Sequence, residues 1–128
     1  VFVSVKDLDK DKVLIPARTM TEMGFRIVAT RGTQRHLAEH GIACERVNKV
    51  LEGRPHIVDA IANGDIDIVF NTTEGAKALA DSMSIRRSAL LNHVPYYTTL
   101  AGALAATEAI RALRAGSLTV APLQSYVG

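Results

Sequence analysis

The sequence contains one cysteine, no tryptophan and only 5% aromatic residues. A single cysteine, Cys44, excludes a disulfide within the chain and suits a reducing compartment, and we interpret it as a small strand hydrophobe rather than a nucleophile. So few aromatic side chains make a base-stacking surface improbable. The 15 basic and 13 acidic residues leave a net charge of only +2. Bulk attraction therefore predicts neither a nucleic-acid nor a membrane partner.

Long hydrophobic runs are also missing. No apolar stretch approaches the length needed to cross a bilayer, and the first residues lack the basic and hydrophobic regions of a signal peptide. The chain begins in a strand-like segment, residues 1–5, without an initiator methionine. With 48% hydrophobic and 22% charged residues it has the composition of a folded domain. We expect one cytoplasmic domain, residues 1–128, cut from a longer polypeptide.

Several motifs that carry catalytic or cofactor chemistry are absent, among them GxxxxGK[ST], GxGxxG, HExxH, CxxC and GxSxG. His36 and His40 stand four residues apart and would share a helix face, but the sequence places no third ligand near them. We therefore interpret both as surface histidines and predict neither a metal nor a cofactor in this domain.

The sequence shows no pair of carboxylates suited to acid–base catalysis. Those nearest the predicted strand ends are Asp59, Glu74 and Asp81. Glu74 and Asp81 flank a predicted helix and are interpreted as solvated or helix-dipole charges, whereas Asp59 is placed on a helix face. His56, in the first turn of a predicted helix, is the histidine nearest the strand ends. A site at the strand ends that can bind an anion but has no clear general base would be a binding site rather than a catalytic site.

Short apolar runs alternate with helical patterns along the whole chain. Strands are predicted at residues 2–5, 25–29, 42–47, 66–70 and 94–97. Helices are predicted at about residues 12–23, 34–40, 55–64, 75–81, 84–92 and 99–116, followed by an extended tail, residues 117–128. This alternation predicts an α/β fold, a doubly wound five-stranded parallel sheet with helices on both faces, in flavodoxin-like layers.

Polar side chains follow four of the predicted strands, where ligands of open parallel sheets bind. Ser4 and Lys10 follow the first strand, Thr30 and Thr33 the second, Lys49 the third, and Asn71 and Thr73 the fourth. Two lysines, three threonines and two helix N-termini on one edge suit a phosphate group. The alternative is that Thr33 caps a helix and the lysines are solvated surface.

Five short segments resemble one family. They are residues 30–33 (TRGT), 47–50 (VNKV), 52–57 (EGRPHI), 71–73 (NTT) and 85–89 (IRRSA). They are similar to methylglyoxal-synthase-like domains, and more narrowly to the C-terminal allosteric domains of carbamoyl-phosphate synthase large subunits. The resemblance extends to about residue 99 and is looser in the tail.

The resemblance implies a non-catalytic regulatory domain of an ATP-dependent ligase. Its parent makes carbamoyl phosphate from glutamine or ammonia, bicarbonate and two ATP, with magnesium or manganese and potassium, for arginine and pyrimidine biosynthesis. In bacterial members of the family this domain binds UMP, an inhibitor, and IMP, an activator, while ornithine binds at its junction with the neighbouring domain. The implied protein partners are the rest of the large subunit and the glutaminase small subunit.

Matching positions assign roles that are expectations from the resemblance. The phosphate would be held by Ser4, Lys10, Thr30, Thr33 and Lys49, the ribose end by Asn71 and Thr73, and the base by Asp81 and Ile85. Tyr96 and Thr98 would contact ornithine. The sequence departs from the family pattern at two places that bear on base preference and on the ornithine response. Glu74 stands where the family has a small residue, and residues 94–98 differ from the family around the tyrosine.

A second reading is an enzyme on the same fold, methylglyoxal synthase, which needs an aspartate base near the phosphate. Its aspartate-bearing motifs would fall near residues 54–56 and 71–73, and neither segment contains an aspartate. A base must reach the proton that it abstracts, so the sequence favours the binding module. A third reading is an orphan phosphate-binding domain.

Overall fold

The computed structural model describes residues 1–49, 52–53, 55–73 and 76–119, with the backbone alone at 76–81 and 115–119. Its strands are β1 (Phe2–Ser4), β2 (Val28–Ala29), β3 (Glu45–Arg46), β4 (Val69–Asn71) and β5 (Tyr96–Tyr97). The helices are α1 (Leu14–Glu22), α2 (Arg31–Glu39), α3 (Ile57–Ala62), α4 (Ala76–Leu91) and α5 (Leu100–Thr119), and a 3-10 turn spans Asp7–Asp9. All strand pairs are parallel, in the order β3-β2-β1-β4-β5. The predicted fold class is confirmed.

Consecutive residues of the central strand β1 enter two different cores, because side chains alternate across a sheet. Val3 belongs to a cluster that includes Met20 of α1, Leu37 of α2 and Ala103 of α5. Phe2 belongs to a second cluster on the opposite face, built mainly from α3 and α4. The helices thus cover both faces of the sheet, and the turns after the strands are left to form the site.

The strands are shorter than the sequence suggests. The predicted second strand, residues 25–29, is reduced to two residues, and the third, residues 42–47, likewise. The apolar residues outside the ladder, such as Ile27 and Ile42, are still buried in the first core. The buried part of each segment is therefore longer than the part that pairs with a neighbouring strand. Because the apolar pattern reflects burial, it overestimates the length of the strand.

The predicted break before Ser84 is wrong, because α4 runs without interruption from residue 76 to residue 91. Ser82, Ile85, Ser88 and Ala89 are all buried at helical spacing, so one continuous face packs on the sheet. Ser84 lies inside this helix rather than at its start. Serine is tolerated in the interior of a helix at modest cost, so a serine at position 84 does not by itself indicate the start of a new helix.

Other helix-end predictions had mixed outcomes. Pro16 lies in the first turn of α1, as expected of a residue without an N–H. Thr99 accepts a hydrogen bond of 3.0 Å from the Gly102 N–H and so caps α5. That helix continues past Gly116 to residue 119, so the predicted stop and the extended start of the tail are wrong. Residues 120–128 lie outside the described residues.

Within the described residues, no helix is long and apolar enough to span a bilayer.

Cys44 is half-buried just before β3, where it packs against the first core. Its Sγ donates to the Gln34 carbonyl at 3.6 Å, and burial raises the pKa of the thiol. A raised pKa reduces the thiolate fraction at a given pH, and the thiolate is the reactive form. We expect iodoacetamide at pH 8 to alkylate Cys44 several-fold more slowly in the folded chain than in urea, as followed by mass spectrometry. Equal rates would contradict this account.

Candidate anion-binding site

Three strand ends meet at the carboxyl edge of the sheet. Ser4 of β1 pairs in register with Asn71 of β4. The hydroxyl of Thr30, which follows β2, donates to Ser4 Oγ at 3.0 Å. The ends of β1, β2 and β4 therefore meet here, as the parallel topology predicted. We name this edge, with the turn after β1 and the first turn of α2, the rim.

Two threonine hydroxyls hold the turn that follows β1. Thr33 Oγ1 accepts a hydrogen bond of 3.2 Å from the Val5 N–H, and Thr72 Oγ1 accepts one of 3.0 Å from the Lys6 N–H. Both threonines are buried. Because each oxygen accepts from the backbone, both hydroxyl hydrogens remain to be donated elsewhere. The turn is consequently fixed by α2 on one side and by the end of β4 on the other.

Lys10 brings a positive charge to the rim. Its Nζ donates to the Val5 carbonyl at 3.1 Å and to Asp7 Oδ1 at 2.6 Å. A Cβ placed on Gly32 would lie 3.7 Å from Lys10 Cε, so the side chain lies against the first turn of α2. The hydrogen bond and charge of Lys10 lower the pKa of Asp7 below its usual value. The ammonium is thus held at a helix N-terminus by an exposed carboxylate.

Asn71 links the rim to the edge strand β5. Its Nδ2 donates to Ser82 Oγ at 3.0 Å and to Tyr96 Oη at 2.7 Å, and the residue is buried. Burial is the main reason that the pKa of Tyr96 is raised, so this phenol stays protonated at neutral pH. The guanidinium of Arg86 lies 6.0 Å from the centre of the Tyr96 ring. Asn71, one of the two predicted ribose-binding residues, is therefore hydrogen-bonded to Tyr96, one of the two predicted ornithine-binding residues.

The remaining predicted residues are placed less closely. Lys49 and Thr98 are exposed, Thr73 is half-buried beside the end of β4, and Ile85 is packed in the second core with 5% of its surface exposed. Asp81 lies in α4, but its side chain lies outside the described residues, as does all of Glu74. The structure brings together Ser4, Lys10, Thr30, Thr33 and Asn71, and it places Ile85 where little surface is left for a ligand.

Sequence reasoning missed two members of the rim and one neighbour. It gave Thr72 no particular role, and it did not pair Lys10 with Asp7, although a spacing of three residues is the available signal. The expectation that no third ligand lies near His36 and His40 is wrong. Asp11, from the turn before α1, lies with Oδ1 3.0 Å from His36 Nε2. Their separation in sequence hid this contact.

His56 and Asp59 contact each other at the start of α3. The His56 N–H donates to Asp59 Oδ2 at 3.0 Å, and the imidazole Nδ1 lies 3.5 Å from the same carboxylate. The pair closes the first turn of α3, next to Asn48, whose amide donates to the Pro55 carbonyl at 3.1 Å. These contacts fix the start of the helix that the sequence predicted at about residues 55–64, which begins at Ile57.

The fold is a doubly wound α/β domain with a polar rim at the carboxyl edge of its sheet, and comparison with known proteins specifies its class. The model of the MGS-like domain matches residues 12–98. This chain belongs to the MGS-like domain family. It also resembles a crystal structure of methylglyoxal synthase from Elizabethkingia anophelis, with a TM-score of 0.66 and 21% identity over 83% of this chain and 75% of that one. That likeness shows the fold alone.

The more particular similarity is to carbamoyl phosphate synthase large chains. The chain is 59% identical to the one from Mesorhizobium japonicum over 98% of its own length, and 51% identical to the one from Myxococcus xanthus over 100%. It spans 11% and 12% of those two relatives. The resemblance to the large subunit of this synthase is confirmed.

Proposed function

We propose that this chain is the allosteric regulatory domain of a carbamoyl-phosphate synthase large subunit and that it binds nucleoside monophosphates at the rim. The observation that carries the proposal is the position of Lys10, whose ammonium lies at the end of β1 against the first turn of α2. A helix N-terminus and a cation converging on one point suit a phosphate dianion. High similarity to large chains of this synthase supports the proposed parent.

The effectors that we propose are UMP, as inhibitor, and IMP, as activator. Their phosphate would replace Asp7 as the partner of Lys10 and would accept from the hydroxyls of Ser4 and Thr33, while Thr30 holds Ser4 in place by donating to its Oγ. The ribose would reach the end of β4, near Asn71 and Thr73. Lys49, exposed after β3, would close the phosphate site from the other side. The two nucleotides would compete, since the phosphate is common to both.

The proposed parent is the ATP-dependent, glutamine-hydrolysing ligase of arginine and pyrimidine biosynthesis in the cytoplasm. This domain would contact the rest of the large subunit, and through it the glutaminase small subunit. The nucleotide, magnesium or manganese, and potassium of the catalytic reaction would belong to the parent. The role of this domain would be to shift the parent between more and less active states by binding one state better.

A thermal-shift panel tests the nucleotide proposal on the chain as it stands. A ligand that binds only the folded state raises its stability in proportion to the logarithm of ligand concentration over Kd. UMP and IMP should raise the melting temperature, AMP and inorganic phosphate less, and uridine and inosine hardly at all. A shift by uridine equal to that by UMP would mean that the phosphate site is misplaced.

A second candidate on the same fold is methylglyoxal synthase, an elimination enzyme acting on a phosphorylated triose. The rim argues against this candidate, because Asn71 stands in one of the two segments where an aspartate would be expected, and its amide is bonded to two hydroxyls. We expect no methylglyoxal above the uncatalysed rate when the chain is incubated with dihydroxyacetone phosphate. Robust turnover that depends on His56 or Glu74 would overturn the non-catalytic assignment.

Ornithine binding to this chain alone should be very weak. Tyr96 and Thr98 are uncharged, so they cannot neutralise the two amino groups of ornithine, and an unpaired buried cation is costly. We propose that the carboxylates come from the neighbouring domain of the parent. Calorimetry with ornithine should therefore give no measurable heat of binding below about millimolar concentrations. Sub-millimolar affinity for the isolated chain would show that the ornithine site is complete here.

A further inference from the structure

We propose that Asp11, His36 and His40, named here the His–Asp cluster, bind a divalent transition-metal cation with the ligand preference of zinc. The ligand atoms of these three residues all lie within 4.8 Å of one another. Two imidazoles and one carboxylate, with a water in the fourth position, form a common ligand set for zinc. The proposal concerns a site distinct from the phosphate site, although Asp11 directly follows Lys10.

The two histidines are oriented for a shared ligand. They lie four residues apart, one turn along the surface of α2 and its C-cap, and their ring centres are 4.4 Å apart with the planes tilted by 38°. His40 Nδ1 lies 2.8 Å from the His36 carbonyl oxygen. Only an N–H can donate to a carbonyl, so this contact places the proton of a neutral ring on Nδ1. The lone pair of His40 is thereby left on Nε2, available to a metal.

His36 supplies the second observation. Its Nε2 is buried from solvent and has no hydrogen-bond partner among the described residues, although Asp11 Oδ1 lies 3.0 Å away. The distance between His36 Nε2 and Asp11 Oδ1 is that of an ion pair, but the carboxylate oxygen does not lie in the direction needed to accept a hydrogen bond from the ring. A cation between the imidazole and the carboxylate would satisfy both groups, whereas an ion pair alone requires a protonated imidazole.

The distances require only small adjustments. Ligand atoms of a tetrahedral zinc ion lie roughly 3.3–3.5 Å apart, given metal–ligand bonds of about 2.0–2.2 Å. The contact of 3.0 Å between His36 and Asp11 is already close to this value. The Asp11 side chain is 86% exposed and His40 is exposed, so both can move by about an ångström without disturbing the core.

Bound metal would tie the turn before α1 to helix α2. Asp11 belongs to the turn that also carries Lys10, whereas His36 and His40 belong to the helix that carries Thr33. The cation would therefore fix the two segments that form the rim and would raise the stability of the folded chain. It would leave the chain's fold unchanged, because none of its ligands belongs to either core cluster.

Calorimetric titration of the 128-residue chain with zinc chloride tests the proposal, with the cobalt(II) absorption spectrum as a second readout. We expect one site per chain and a cobalt spectrum typical of four nitrogen and oxygen ligands. His40→Gln, His36→Gln and Asp11→Asn should each lower the zinc affinity at least ten-fold, since even loss of an outer hydrogen-bond partner costs roughly 10–100-fold. Circular dichroism checks that each variant is folded.

Two variants serve as matched controls. His93→Asn removes another exposed histidine, at a left-handed backbone position (φ 57°) that asparagine tolerates, and Cys44→Ser removes the thiol. Both should bind zinc as the unmodified chain does. Absence of zinc binding at 1 mM would overturn the proposal. So would a zinc affinity of the His40→Gln and Asp11→Asn variants equal to that of the unmodified chain. A thiolate-to-cobalt charge-transfer band that disappears in Cys44→Ser would also overturn it.

Discussion

Replacing Lys10 by alanine is expected to weaken the binding of both UMP and IMP by about ten- to a hundred-fold. A hydrogen bond to a charged group contributes roughly 1.5–3 kcal/mol, which corresponds to this range of affinity. Lys10 is the cation that the structure holds at the first turn of α2, and the phosphate is the part that the two nucleotides share. The affinities for uridine and inosine should hardly change, because neither carries a phosphate. Titration calorimetry on the four ligands measures this pattern.

Two further variants sharpen the Lys10 experiment. Lys12→Ala removes an exposed lysine two residues away and should leave nucleotide affinity within about two-fold. Asp7→Asn removes the carboxylate that is bonded to the Lys10 ammonium, and it should strengthen phosphate binding because a competitor is lost. Lys49→Ala should weaken UMP and IMP together, as Lys10→Ala does. Unchanged affinity in both lysine variants would show that the phosphate binds elsewhere.

Replacing Phe70 by alanine is expected to lower the free energy of unfolding by about 3–5 kcal/mol. Phe70 is 1% exposed in the interior strand β4, and its ring makes an edge-type contact with the Tyr97 ring at 6.0 Å between centres. Truncation leaves a cavity between the sheet and its helices that rigid strands cannot close. A single domain has about 5–15 kcal/mol of stability in total, so the variant loses a large fraction of it.

Urea denaturation followed by circular dichroism measures this loss. Leu90→Ala is the matched control, since Leu90 is 76% exposed on α4, and its removal should change stability by less than about 0.5 kcal/mol. A loss of less than 1 kcal/mol for Phe70→Ala would mean that the core around β4 is looser than the structure shows. An effect of Leu90→Ala as large as that of Phe70→Ala would point to a second buried surface.

The order of strands and helices was predictable because buried parallel strands and their connecting helices leave strong periodic signals. The lengths of β2 and β3 were not, since Ile27 and Ile42 are apolar for reasons of burial rather than pairing. The continuity of α4 was missed because Ser84 is compatible with both a cap and a helix interior. Local preference is weak at such positions, and packing on the sheet decides.

The rim was predictable in outline for a topological reason: the carboxyl ends of parallel strands share one edge. The partners of its side chains were not. Nothing local in the sequence shows that the Thr33 hydroxyl would hold the Val5 N–H, or that Asn71 would donate to Tyr96, 25 residues away. The meeting of Asp11 with His36 likewise depends on how α1 and α2 pack. The binding roles of all the predicted site residues stay predictions, including those of Lys49, Asp81 and Thr98.

The two outer strands of the sheet, β3 and β5, influence whether copies of the chain can pair with each other through their backbones. An exposed strand edge is a template on which another chain can add by backbone pairing. Here both edges are blunted: β3 and β5 are two residues long, β3 consists of the exposed charged pair Glu45 and Arg46, and Pro95, without an N–H, precedes β5. Such edges give neighbouring molecules little to extend. We therefore expect the chain to resist edge-to-edge assembly into fibres when it is concentrated.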